Sequence, residues 1–182
     1  MIELKYGNEV YELRNTPDEL TLNEFDIIFS LVNSQRDDNV SKYFQVFSFL
    51  KVPDKVLDSL SQKEFIELVK NFNDYQLPND LVEVIEINGR IYRTMNEGDT
   101  FEFKARDISL LEQAQLKNDG HFPSWIAAIL YKDEQLTNTE HRDWTHIKHK
   151  AELFRKNVKA AVVIPYLVRV AKKQISEISE AV

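Results

Sequence analysis

The chain has 182 residues, 43% hydrophobic and 29% charged, with 4 Gly and 5 Pro. That composition fits one folded domain or two small ones and excludes low-complexity disorder. There is no cysteine, so disulfides, thiolate zinc sites and a cysteine nucleophile are excluded, and a net charge of −7 argues against nucleic-acid binding over the whole surface.

The first residues, Met1 to Lys5, lack the basic and apolar regions of a signal peptide. Ile2, Leu4 and Tyr6 alternate with Glu3 and Lys5, the period of a half-buried strand. Gly7-Asn8 supplies a turn, and Val10, Tyr11 and Leu13 form the return strand of a hairpin over Ile2 to Leu13. Thr16-Pro17 reads as a helix start, and Thr21-Leu22-Asn23-Glu24 repeats that signal as a capping box. Leu22, Phe25, Ile28, Phe29 and Val32 then mark an amphipathic face. Gln35 to Asn39 is a polar loop, and Val40 to Leu50 is an aromatic-rich helix at the centre of a core. Pro53 starts a short helix to about Leu60, and Ser61 caps another through Phe65, Leu68, Val69 and Phe72.

Asn73 to Asp80 is the strongest candidate boundary, dividing the chain into residues 1–76 and 77–182, which either stand apart or pack as one unit. Beyond it, Asn88-Gly89 between Ile85-Glu86-Ile87 and Ile91-Tyr92 predicts a second hairpin over Leu81 to Thr94. Phe101 to Phe103 is a candidate third strand. Asp107 opens a helix with Ile108, Leu111 and Leu116, ended by Asn118-Asp119-Gly120. Phe122-Pro123-Ser124-Trp125 opens a buried helix through Leu130, Asp133 to Asp143 reads as a loop, and a long helix follows from Trp144 towards Ile178, kinked at Pro165. The expected class is α+β, mostly helical with two β-hairpins, and the two halves echo each other as possible tandem hairpin-plus-helices modules.

The longest near-continuous apolar run, Ala160 to Val168, is about half the ~20 residues a membrane helix needs, so no membrane span is expected. Charge is unevenly spread. From Lys148 to Lys173 eight basic residues oppose the single acid Glu152, a net of +7, which leaves −14 on the rest of the chain. Lys156, Lys159, Arg169 and Lys172, with the apolar Ile164, Leu167, Ala171, Ile175 and Ile178, make this segment the candidate interface. Three readings stay open for its cations: a phosphate contact, which would be the chain's one route to nucleic acid, the acidic body of a neighbouring subunit, or a solvated helix face.

Candidate chemistry centres on His141, His146 and His149, with Glu140, Asp143 and Glu152 nearby. These residue types are ligands for zinc or another transition metal, and a metal-dependent enzyme built on them is one reading. The spacing has no His-Glu-x-x-His, and no Gly-x-Ser-x-Gly elbow, phosphate-binding loop or dinucleotide fingerprint occurs. No cofactor and no catalytic residue is expected.

Leu20-Thr21-Leu22-Asn23-Glu24-Phe25 and Val52-Pro53-Asp54-Lys55-Val56-Leu57 resemble motifs of small proteins encoded among bacteriophage virion genes, particularly in phages of Bacteroidetes-type hosts. Ile87-Asn88-Gly89-Arg90-Ile91-Tyr92 and Trp125 to Tyr131 are similar to their second half. Those proteins usually continue into Arg-Pro, where this chain has Lys132-Asp133. The resemblance implies a non-enzymatic protein of virion assembly, made in the host cytoplasm and carried in the virion. Its partners would be other copies of itself in a ring and neighbouring neck or tail proteins. A tail assembly chaperone absent from the particle is the alternative within the same resemblance.

Overall fold

Short-range signals account for most of the elements in the computed structural model, which describes residues 1–35, 38–78, 80–94, 105–117 and 120–169. The fold is α+β and mostly helical, with a two-stranded and a three-stranded antiparallel sheet. Strands β1 (Ile2–Tyr6) and β2 (Glu9–Leu13) pair Ile2 with Leu13 and Leu4 with Tyr11, which puts these four on the face that meets the core. Helix α1 (Leu22–Asn33) starts at the predicted capping box: Thr21 accepts from the Glu24 N–H, and the Glu24 carboxylate accepts from the Thr21 N–H at 2.9 Å. The earlier signal at Thr16-Pro17 yields only a turn, because the Glu19 side chain folds back to accept from the Asn15 and Thr16 N–H groups.

Helices α2 (Asn39–Phe49), α3 (Asp54–Leu57) and α4 (Gln62–Asn73) follow, α4 with a second complete capping box at Ser61 and Glu64. Phe47 is fully buried among them, its ring edge-on to Phe65 and Phe72. Leu13, Val46, Leu57 and Leu68 complete this first core.

The second half opens with β3 (Val84–Ile87) and β4 (Arg90–Thr94). Asn88 and Gly89 both take positive φ, 53° and 76°, the conformation a two-residue hairpin turn of this hand requires. The third strand is β5 (Tyr131–Asp133), which pairs with β4 immediately after the buried helix α6 (Phe122–Leu130). The sequence places a helix through Leu130 and a loop from Asp133, with no strand between them. The predicted strand at Phe101 to Phe103 lies outside the described residues. Helix α5 (Ala105–Lys117) precedes α6, and Gly120 joins them. A side chain at this position would be strained: φ is +76°, and a Cβ would lie 2.7 Å from the Ser30 hydroxyl oxygen, which would have to move. The predicted loop at Asp133 to Asp143 also holds a short helix, α7 (Asn138–His141), started by a capping box at Thr137 and Glu140.

The expected long C-terminal helix is two helices. Helix α8 (Trp144–Asn157) stops at Val158, and a further helix, α9, is described over residues 160–169. The break is six residues before Pro165, which sits buried inside α9 with helix on both sides. Its cause is tertiary. Lys159 forms an antiparallel bridge with Thr21, the Val158 carbonyl accepts from the Leu22 N–H at 2.8 Å, and the Ala160 N–H donates to the Leu20 carbonyl at 3.0 Å. Backbone groups that would have served the helix ladder are satisfied across the chain instead.

That crossing stitches the two halves together. The second core gathers Tyr92, α6, Ile147, Phe154 and Tyr166, and it includes Leu22 from the first half. The first core takes Ala160 and Ile164 from α9, and Phe25 and Leu167 touch both. Residues 1–76 and 77–169 therefore each organise a core while packing on one another.

Candidate functional site

The three histidines named from the sequence occupy three different environments. His141, at the end of α7, is 1% exposed. Its Nε2–H donates to the Ile129 carbonyl at 3.2 Å, which leaves Nδ1 as an acceptor for the Lys150 amine at 2.9 Å. Burial and the neighbouring Lys150 charge push His141 down to about 3, so the ring is neutral at pH 7. His146 is exposed, and its Nδ1 meets the Glu140 carbonyl at 2.9 Å. His149 is also exposed, on the outer side of α8. Among the described residues no group of three or more His, Asp or Glu side chains has the arrangement of a metal site.

What gathers around His141 is a lysine that spacing alone did not single out. Lys150 lies on the inner face of α8 with Ile147, Ala151 and Phe154 and is 5% exposed. A cation at that step of an apolar stripe was the signal available in the sequence. Its Nζ also donates to the Tyr131 carbonyl, and burial lowers it to about 7 while the Asp133 charge opposes that shift. Asp133 accepts from Arg90 at 3.2 Å and from the Gln135 N–H at 2.9 Å. An amine poised near neutrality is nucleophilic. Here two of its hydrogens reach the buried Tyr131 carbonyl and His141 Nδ1, and the arrangement pins β5 and the end of α6 to α7 and α8. Arg142, next in sequence to His141, donates to the buried Asp107 at 3.0 Å and ties α7 to α5.

A second buried polar cluster joins the halves. Asp26 projects from the apolar side of α1 and is fully buried. It accepts from the Ser124 N–H at 3.1 Å and from the Ser124 hydroxyl, and so caps the first turn of α6 from another helix. Arg155 of α8 places Nε 3.5 Å from the same carboxylate and donates to Asn23 at 3.0 Å, with His121 Nδ1 3.8 Å from Asp26. The serine hydroxyl is directed to a carboxylate rather than an imidazole and is shut away from solvent. This is a helix clasp and lacks the hydrogen-bond order of a hydrolytic triad.

The candidate interface divides in a similar way. Lys156 and Lys159 are exposed, with Lys148 also outward on α8. Lys150, counted in the basic segment from sequence, is interior, and Arg155 is half-buried against Asp26. Ile164 is 3% exposed within the first core, and Leu167 is half-buried against both cores, so the described part of the apolar stripe packs on its own chain. Arg169 is half-buried and engaged. Ala171, Lys172, Ile175 and Ile178 lie outside the described residues. No family model, curated protein or solved structure matches the chain.

Proposed function

We propose that this chain is a non-enzymatic protein of bacteriophage virion assembly that works through protein–protein contacts, as a ring, neck or tail component. The observation that carries the reading is the separation of charge. Lys148, Lys156 and Lys159 project from α8 and the bridge that follows it, while the first 76 residues hold 14 acids against 8 bases. A cationic edge on one subunit and an acidic body on the next suit head-to-tail packing, which closes into a ring when the rotation between subunits permits. The motif resemblance at Leu20 to Phe25 and Val52 to Leu57 supplies the virion context. In this fold both motifs are architectural: the first starts α1, and the second places Val52, Val56 and Leu57 in the first core. Among the described residues no helix is long and apolar enough to cross a membrane. The metal-enzyme alternative is not favoured, because His141 is committed to the interior while His146 and His149 face solvent.

Light scattering after size exclusion tests the proposal. The expected result is an oligomer at low salt that dissociates as ionic strength rises, with Lys156→Glu plus Lys159→Glu weakening it further. A monomer at all salt concentrations, with no protein partner in infected cells, would overturn it. Mass spectrometry of purified particles separates a structural component, present at fixed stoichiometry, from an assembly chaperone, which is absent.

A further inference from the structure

Asn88-Gly89 is the chain's single Asn-Gly pair, and it forms the tip of the β3–β4 hairpin. Both residues are exposed, with φ of 53° and 76°. Beyond the adjoining residues, no heavy atom lies within 4 Å of the place a Gly89 Cβ would take. Neither a side chain on residue 89 nor a packed element therefore crowds the tip around the Gly89 backbone nitrogen. Other asparagines are held. Asn33, Asn73 and Asn157 each donate Nδ2 to the carbonyl four residues back in the chain at 2.8 Å, and Asn15 donates to the Asn71 carbonyl at 3.3 Å. Each of these is also followed by a residue with a side chain, Ser34, Asp74, Val158 or Thr16.

We propose that Asn88 is a site of self-catalysed deamidation in the folded protein, with the Gly89 backbone nitrogen as nucleophile and water as the only co-reactant. Rotation about the Asn88 Cα–C bond brings that nitrogen to the side-chain carbonyl, and an exposed tip permits it at no cost in buried contacts. The N–Cγ bond forms and the Cγ–Nδ2 bond breaks. The Gly89 N–H proton passes to the departing nitrogen, which leaves as ammonia. Water then adds to either carbonyl of the five-membered imide and breaks its bond to nitrogen, giving aspartate or isoaspartate. Aspartate keeps the turn, since Asp-Gly takes the same two-residue form. Isoaspartate adds a methylene to the backbone between Ile87 and Arg90, the pair that closes the turn, and loosens it. Either product places a carboxylate next to Arg90, which donates to Asp133 at 3.2 Å. This inference does not depend on the virion role.

The test incubates the full chain at mildly alkaline pH in heavy-oxygen water, once in native buffer and once in urea. Peptide mass spectrometry reads the loss of each side-chain amide, and label in the product shows that water opened the ring. In native buffer Asn88 is expected to lose its amide while Asn33, Asn73 and Asn157 keep theirs, with aspartate and isoaspartate both formed. Gly89→Ala should slow the loss, although the positive φ strains that variant. The comparison among asparagines of the native sequence decides the proposal even if Gly89→Ala does not fold. Asn88 intact in native buffer but converted in urea would show that the folded hairpin locks its tip, and that result overturns the proposal. Loss at Asn33 or Asn73 as early as at Asn88 overturns it as well.

Discussion

The two cores are built on different principles. The first is aromatic and apolar, with Phe47, Phe65 and Phe72 packed edge to face around Leu13, Val46 and Leu68. The second holds Thr94, Asp107, Ser124, Asp133, His141 and Lys150 among its apolar side chains. An apolar core tolerates repacking as long as volume is kept. A buried polar network is less forgiving, since each member left without its partner costs desolvation energy that nothing returns. The first core should therefore respond to volume and the second to charge and pH.

The largest effects should come from the two residues that anchor each kind of packing. Phe47→Ala should cost about 3–5 kcal/mol through its cavity. Asp26→Ala leaves the half-buried Arg155 without its anion and the buried Ser124 N–H and hydroxyl without their acceptor, at a cost of about 1–3 kcal/mol in denaturant unfolding. The two differ in reach. Hydrogen exchange after Phe47→Ala should rise mainly in α2 and α4, whereas Asp26→Ala should loosen α1, α6 and α8 together. Matching exchange patterns would mean that the two cores do not respond separately.

A smaller, pH-dependent effect follows from Lys150. Its pKa is lowered to about 7 in the fold, against an ordinary value near 10.5, so between these values the unfolded chain binds the extra proton. Stability should then rise as pH increases from 7 towards 10, by up to about 1.4 kcal/mol per pH unit. Lys150→Met leaves the Tyr131 carbonyl and His141 Nδ1 without their donor, which lowers stability throughout. It should also flatten this rise, so the deficit widens with pH. Urea midpoints of the two proteins at pH 7, 8 and 9 check the sign, and parallel curves would show that Lys150 keeps its ordinary pKa. His141, lowered to about 3, acts on the acid side: stability should fall as pH drops from 6.5 towards 3.

The smallest effect distinguishes the ends of the network. Thr137→Ala removes the acceptor for the Glu140 N–H at the start of α7 and should cost about 1 kcal/mol. The loss should appear as faster exchange at His141 with the first core unchanged. Spread of that effect into α2 or α4 would show that the polar network couples the cores more tightly than their packing implies.

Much of the fold was legible because its signals are local. Thr21 with Glu24, Ser61 with Glu64 and the Asn88-Gly89 turn each act within four residues, so the chain carries them wherever it packs. The first core could be read from Phe47, Phe65, Leu68 and Phe72 for the same reason, helical period and apolar character together. The candidate site was less legible. The histidines share ligand type and proximity, yet ligand geometry depends on side-chain direction, which nine residues of sequence do not specify. Lys150 and Asp26 were visible only as charges on otherwise apolar helix faces, and their partners lie on other elements.

By itself the sequence determined the class, the capping boxes at Thr21 and Ser61, the hairpin turns and the residues able to build each core, because short-range hydrogen bonding and periodicity suffice for these. Only the tertiary structure decided that Tyr131 to Asp133 is a strand, because β4 offers it an open edge. It also decided that the last helix breaks at Val158-Lys159, where the stretch before α1 supplies the hydrogen bonds. Through that break α9 packs between the halves. The basic segment read as a surface stripe is partly turned inward, Lys150 to His141 and Arg155 to Asp26, because burying Lys150 and half-covering Arg155 requires partners that only the folded chain brings within reach.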